Sequence, residues 1–413
     1  MTREAVRLVD APWLRQGPLP QLMAILNCDG EEARAVGGAV RNALLGEPVH
    51  EIDVATTARP EEVARRAKAA GFKVVPTGIE HGTVTVVIDG LPFEITTLRQ
   101  DVETFGRRAN VVFGRDWQAD AKRRDFTFNA LSVSADGTVH DYVGGLDDLS
   151  KRRVRFIGEA RRRIVEDYLR ILRFFRFHAA YGHGEPDREA ILACIAERHG
   201  LSRLSRERLR AEMLKLLGAR GAVPALTAMS DAGLLTEVLG GIAQLASLEA
   251  VTEIEGALGL DTDPVRRLGA LAVMIAEDAA RLRDRLRLTK AEYERLTAMG
   301  DHGRRCSPGH MPAARGWLYT LGPERFTDSV VVAWSRSGAG AGDGDWRDLA
   351  TLAERWPAPT FPLKAADFTR RGVARGPALG AALRAAERAW IAADFPLDAG
   401  ELDRIADAAA GAA

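Results

Sequence analysis

Strand signals occupy the first third of this chain and stop at about Lys151, and that change of texture constrains the fold more than any other feature. Before it, short Val-, Ile- and Thr-rich runs alternate with helical stretches; after it, Ala- and Leu-rich periodic segments continue to the end. β-Branched residues suit a pleated, half-buried sheet, whereas Ala and Leu carry high helix propensity. The expected class is therefore α+β, a small mixed sheet with helices followed by an all-α remainder. At 413 residues the chain is too long for one ordinary domain.

Within the first section, a helical lead-in buries Leu22, Ile25 and Leu26, and a strand over 33–36 ends at Gly37-Gly38. A helix over 39–45 follows, stopped by Gly46 and Pro48. Strands are expected at 49–54, 83–88 and 92–98, with Asp89-Gly90 as a hairpin turn, and near 130–133. The Arg-rich stretch 100–122 has little periodicity and reads as a mobile loop. Helices are expected over 163–180, 186–198 and 205–218, with the glycine-rich 337–344 as a flexible linker.

Composition excludes several classes. With 46% hydrophobic and 28% charged residues, wholesale disorder is excluded. Cys28, Cys194 and Cys306 show no CxxC spacing, which argues against a disulfide framework or a structural zinc and for a reducing cytoplasm. No apolar run approaches the roughly 20 residues that span a bilayer, so no membrane partner is expected. The N-terminus, with Arg3, Arg7 and Asp10, lacks the apolar core of a signal peptide. Net charge is zero, yet residues 151–220 hold 18 basic against 9 acidic side chains, a surplus of nine. That block is either a phosphate-binding surface or a solvated helical face.

Chemistry first gathers at the Gly37-Gly38 turn. Glycine lets a backbone approach an anion closely, and the following helix offers free N–H groups and a favourable dipole. Arg41, in the first turn, can add charged hydrogen bonds to phosphate. Ten residues on, Glu51 and Asp53 flank Ile52; in an extended strand, residues two apart share a face. Two adjacent carboxylates repel unless a cation lies between them, and hard oxygen ligands suit Mg²⁺. Glu94, polar on an apolar strand, is the candidate third carboxylate.

The order Gly37-Gly38-x-x-Arg41 and Glu51-x-Asp53 resembles the DNA polymerase β superfamily of nucleotidyltransferases. Three further runs narrow the resemblance: Arg123-Arg124-Asp125-Phe126-Thr127-Phe128-Asn129-Ala130, Asp141-x-x-Gly144-Gly145-x-x-Asp148, and Glu166-Asp167-x-x-Arg170-x-x-Arg173-x-x-Arg176. With Leu204-Ser205-x-Glu207-Arg208 they are similar to the bacterial class II tRNA nucleotidyltransferase and poly(A) polymerase family across residues 33–215. The resemblance implies a catalytic head (1–150), a neck that binds the nucleotide base and RNA (151–220), and a tRNA-holding body and tail (221–413). It implies that Glu51 and Asp53 hold Mg²⁺ and that Gly37, Gly38, Arg41 and one of Arg123 or Arg124 contact the nucleotide. Asp167 and Arg170 would pair with the base, and Arg173 and Arg176 would face phosphate or RNA. The sequence departs from the family at Glu51 and Asn42, where aspartate is usual.

Base selection also follows from chemistry. Cytosine and adenine present an amino donor beside a ring-nitrogen acceptor, which a carboxylate and a guanidinium complement; guanine and uracil present the reverse. Asp167 and Arg170, three apart on one helix, would thus choose C and A without a template. The expected activity is CCA addition to tRNA from CTP and ATP with Mg²⁺ and no protein partner. Alternatives are a poly(A) polymerase, a C-only or A-only enzyme, or a non-catalytic RNA-binding protein. Asp301, His302 and His310 read as surface polar residues, and Trp334, Trp346 and Trp356 as packing aromatics rather than base-stacking ones.

Overall fold

The computed structural model describes residues 6–75, 78, 82–105, 108–303, 305–309 and 311–412, with backbone alone over 100–111. His310 lies outside them. The chain divides into two compact units, Met1–Val238 and Leu239–Ala413, so the expected boundary near residue 150 falls inside the first.

The first unit is built on a seven-stranded sheet. Its strands are β1 (Ala33–Val36), β2 (Asp53–Thr56), β3 (Lys73–Val75), β4 (Thr83–Ile88) and β5 (Leu91–Thr97). After the separate hairpin of β6 (Arg99–Phe105) and β7 (Arg108–Phe113), β8 (Ser132–Val133) and β9 (Val139–His140) complete it. The order is β3-β4-β5-β2-β1-β8-β9, and among the described residues only β2 and β5 run parallel. Alternation fixes the two faces: Ala35, Val54, Phe93 and Ile95 point into the core, leaving Asp53 and Glu94 for the other side.

Three expectations change here. The stretch 100–122 is not a loop: β6 and β7 pair antiparallel, and a helix spans Trp117–Arg123. Charged residues masked the period of two, while local pairing still satisfied the backbone. Asp116 caps that helix, accepting from the N–H of Gln118 and Ala119. The strand expected over 49–54 begins only at Asp53, so Glu51 lies in the exposed approach to β2. At 130–133, the 3-10 turn Thr127–Ala130 precedes a two-residue strand.

Helices follow. The expected helix 163–180 is two, Ala160–Glu166 and Leu169–Tyr181, broken at Asp167, whose φ of −153° is extended. The break has a local cause. Asp167 Oδ1 accepts the Leu169 N–H, starting a new helix instead of continuing the old one. The apolar face of Leu169–Tyr181 packs on the segment following Arg124: Phe126 and Phe128 lie 5.4 and 5.5 Å from Phe177, and Phe156 lies 5.8 Å from Phe174. This aromatic seam fixes the helix against the sheet domain.

The second unit is helical throughout its described length. Trp334 is fully buried and stacks on Trp346 at 6.2 Å, and Trp356 packs 4.9 Å from Phe395, as packing aromatics should. The glycine-rich run is a tied connection rather than a free linker, since the Gly340 carbonyl accepts Trp334 Nε1 at 3.2 Å. His302 is half-buried against Trp317 instead of lying on the surface. A buried ion network joins four helices: Arg266 bonds Glu255 and Asp328, Arg267 bonds Glu255, and Arg295 bonds Asp328 and Asp263.

Candidate active site

Register places the carboxylates. In β2, Asp53 stands opposite Val36 of β1 on one side and opposite Glu94 of β5 on the other. Laterally paired residues share a face, so Asp53 and Glu94 project together beside the end of β1, where Gly37 begins the turn. Glu51, two residues upstream, is near enough to act on the same charge. Burial, then Glu94 and Glu51, push the Asp53 carboxyl above its ordinary value, while Arg124 opposes them. Two like charges acting on the Asp53 carboxylate make a site that a divalent cation would relieve. Among the described residues no group of three or more His, Cys, Asp or Glu side chains is placed to hold a metal ion by itself. The donors present are few and all oxygen, the chemistry of a hard divalent cation that fills its shell with water and phosphate.

Beside the carboxylates, Gly37 adopts φ +69° as the residue before the helix Gly38–Leu45. A Cβ there would meet Arg124 Nη1 at 3.4 Å, besides being strained at that φ. Arg124 therefore lies over the turn. It and Arg123 share buried Asp120, through contacts of 3.2 and 2.6 Å. Arg41 does not reach the open side of the turn. Only 7% exposed, it bonds Asn129 Oδ1 at 2.6 Å, the Tyr181 hydroxyl at 2.8 Å and Asn42 Oδ1 at 2.9 Å. Asn42, in turn, donates to the Pro48 carbonyl.

The neck residues are held by partners that spacing did not reveal. Because the helix breaks at Asp167, Asp167 and Arg170 do not share one helix face. Asp167 Oδ2 accepts from Arg208 at 2.6 Å, and Arg170 Nη1 donates to Glu166 and to the Arg163 carbonyl. All of these described Arg170 bonds leave from Nη1, so Nε and Nη2 carry the remaining donor capacity. Arg173 pairs with Asp125 at 2.6 Å, and Arg176 with Glu212 at 2.5 Å. Burial alone would raise the Asp125 carboxyl, but Arg173, Asn129 and the Phe126 N–H hold it below the usual carboxylate range.

Sequence reasoning missed Asp120, Asn129, Arg163 and Glu212 as parts of this framework. Arg163 pairs with Glu166 and donates to the carbonyls of Arg123 and Arg124, pinning the neck to the arginine pair. Their one signal was membership of the same charged runs. Much of the basic surplus is thus spent on internal ion pairs. A cavity of about 530 Å³ beside these pairs is bounded by Lys122, Arg155, Arg162, Arg163, Glu159 and Glu166.

Residues 33–155 match the family model described as the poly A polymerase head domain, and 185–245 that of a probable RNA and SrmB-binding site of polymerase A. The mitochondrial CCA tRNA nucleotidyltransferase 1 of Mus musculus is 30% identical over 391 residues, 93% of this chain and 88% of that protein. The CCA-adding enzyme of Limosilactobacillus fermentum is 32% identical over 378 residues, 89% and 90% of the two. A solved structure of the Bacillus stearothermophilus CCA-adding enzyme in complex with CTP superposes with a TM-score of 0.70 at 29% identity, covering 91% of this chain and 92% of that one.

Proposed function

The chain belongs to the CCA-adding tRNA nucleotidyltransferase family, within the polymerase β nucleotidyltransferase superfamily, and from that we propose that it adds C, C and A to the tRNA 3′ end from CTP and ATP, releasing pyrophosphate. The observation that carries the reading is the register of Asp53 with Glu94 beside the Gly37 turn, which gathers acidic groups where a triphosphate can approach backbone N–H donors. Glu51 and Asp53 would hold Mg²⁺, which when bound lowers the cost of the charge developing in phosphoryl transfer. Glu94 is the third carboxylate, set to accept the proton of the attacking 3′ hydroxyl at a carboxylate oxygen. Arg124, over the turn, binds triphosphate oxygens. Asp120 keeps it and Arg123 extended.

Base choice falls to Asp167 and Arg170. Asp167 retains lone pairs beyond those taken by Arg208 and the Leu169 N–H, and Arg170 retains Nε and Nη2. A cytosine or adenine amino group meets the carboxylate and its ring nitrogen meets the guanidinium; guanine and uracil leave buried groups unpaired. Arg173 and Arg176 hold Asp125 and Glu212, and so stiffen the neck beneath the base. Residues 1–150 serve as head, 151–220 as neck and 221–413 as the tRNA-holding body and tail. The mouse relative is named as mitochondrial, and no described helix is long and apolar enough to cross a membrane. Free thiols at Cys28, Cys194 and Cys306 suit a reducing compartment, and we place the protein in the cytoplasm.

The test is incubation of the full chain with Mg²⁺, tRNA lacking its last three nucleotides, and each labelled nucleotide. Ordered incorporation of C, C and A is expected, and Asp53→Asn should lower it by at least about 10³-fold. Poly(A) tails on unrelated RNA, addition of C alone or A alone, or retention of tRNA without incorporation would each replace the reading with a different one.

A further inference from the structure

The ring of Tyr168, the residue just past the break at Asp167, rests on bare backbone. Tyr168 returns to a φ of −60° after the −153° of Asp167, and its carbonyl accepts the Ile171 N–H at 3.1 Å as the helix Leu169–Tyr181 begins. Beneath the ring lies Gly200, buried in the 3-10 turn Arg198–Arg203. A Cβ on Gly200 would fall 1.9 Å from Tyr168 Cδ1, 2.1 Å from Cε1 and 2.3 Å from Cγ. Gly200 is not among the glycines of positive φ, so space rather than backbone conformation requires glycine here. His199 meets the ring edge-on at 5.9 Å between centroids, and the Arg203 guanidinium carbon lies 5.6 Å from its centre. The turn is also tied to the helix before the break. Glu197, whose carbonyl accepts the Gly200 N–H, bonds Arg161 Nε through its carboxylate at 2.6 Å.

We propose that Tyr168 is a positioning residue and Gly200 its seat: the ring lodged on bare backbone fixes the helix break, and with it the direction in which Asp167 and Arg170 face the base. This rests on reading those two residues as the pair that selects C and A. The linkage is short. Asp167 Oδ1 accepts the N–H of Leu169, one residue beyond Tyr168, and the Arg170 N–H bonds the Asp167 carbonyl at 3.0 Å. The backbone at 168–169 therefore sets both the carboxylate and the root of the guanidinium, while Arg208 holds only the other carboxylate oxygen. A ring pushed off Gly200 carries that backbone with it. Where function depends on orientation, a misplacement of about 1 Å can cost on the order of 10²-fold.

The experiment compares Gly200→Ala, Tyr168→Ala, Tyr168→Phe and the double variant of Gly200→Ala with Tyr168→Ala, all in the full chain. Discrimination is read as kcat/KM for CTP over UTP on truncated tRNA and as Kd for the two by calorimetry, with Tm alongside. Gly200→Ala should lower discrimination at least about tenfold by driving the ring off its seat, and Tyr168→Ala should lower it as far. The double variant should be no worse than Tyr168→Ala alone, because removing the ring gives the added methyl room. Tyr168→Phe keeps the ring and should stay within about twofold of the parent. If the two alanine variants lower Tm yet hold discrimination within about twofold, or if their effects multiply, the seat is wrong. The same loss in Tyr168→Phe would give the role to the hydroxyl and overturn it too. If Gly200→Ala fails to fold, Tyr168→Ala against Tyr168→Phe decides on the same ratio. Asp167→Ala separates the seat from the reading beneath it. If that variant relaxes discrimination while the alanine variants do not, only the seat falls; if it leaves rejection of UTP intact, the base-reading pair falls and the seat with it. Calorimetry decides both even if the parent binds CTP and incorporates nothing.

Discussion

At the scale of single residues, Asp53 is the group whose environment says most. Its carboxyl is held above its ordinary value of 3.8 by burial, Glu94 and Glu51. A raised folded-state value means the charged form is disfavoured in the fold. Without metal, this group therefore costs stability as pH rises from its unfolded value through its folded one, and the cost is complete above that window. Mg²⁺ reverses the penalty only when Asp53 is charged. The rise in Tm on adding Mg²⁺ should accordingly be larger at neutral pH than near the ordinary carboxylate value, and Asp53→Asn should remove most of it. An equal Mg²⁺ shift in the variant would take Asp53 out of the ligand set. At the opposite end of the site, Asp167→Ala should relax base choice, and Arg208→Ala should do so more weakly by freeing the Asp167 carboxylate to rotate. Incorporation of U or G is the readout; unchanged rejection in both variants would remove Asp167 from that role.

Elements were unevenly legible in the sequence. The strands expected at 83–88 and 92–98 announced themselves because alternation and an Asp-Gly turn agree, and the structure has them at Thr83–Ile88 and Leu91–Thr97. Glu94 could be read as polar on an apolar strand, but its pairing with Asp53 is a nonlocal register that no window of sequence contains. The β6–β7 hairpin was hidden by charge. The break at Asp167 was hidden because Glu166-Asp167 sits inside a helical period, and only the side-chain bond to the Leu169 N–H ends the helix there. Partners across elements, such as Glu212 for Arg176 or Asp125 for Arg173, lie beyond sequence periodicity altogether. One glycine was informative in a different way. A Cβ on Gly145 would lie 2.3 Å from the Thr127 carbonyl oxygen, so the turn after Asp141 must press backbone on backbone. Asp141 completes that turn by accepting the N–H groups of Val143, Gly144, Gly145 and Leu146. Gly145→Ala should cost about 1–3 kcal/mol by forcing that backbone apart, visible as a lower Tm; an unchanged Tm would mean the close approach is absent in solution.

For the molecule as a whole, the two units can be perturbed separately. Asp328, fully buried among helices of the second unit, joins Arg266 and Arg295. Asp328→Asn keeps the shape and removes the charge, leaving Arg266 to Glu255 and Arg295 to Asp263 with one buried anion fewer between them. Breaking such a network costs about 3–5 kcal/mol. Thermal unfolding should show the second unit destabilised, while calorimetric affinity for CTP, whose proposed site lies entirely in the first unit, stays within about twofold. Loss of nucleotide affinity in that variant would show that the site depends on both units.

The parallel contact of β2 with β5 has a kinetic consequence. Antiparallel neighbours such as β4 and β5 can zip from their own turn, but bringing Asp53 beside Glu94 requires closing the long crossover through β3 and β4. Pairings of that kind form slowly, because loop entropy must be lost before any bond rewards it. A chain refolding from denaturant should recover helical signal well before it can bind Mg²⁺. The moment of metal competence then marks completion of the sheet, and activity serves as a clock for the last strand to dock.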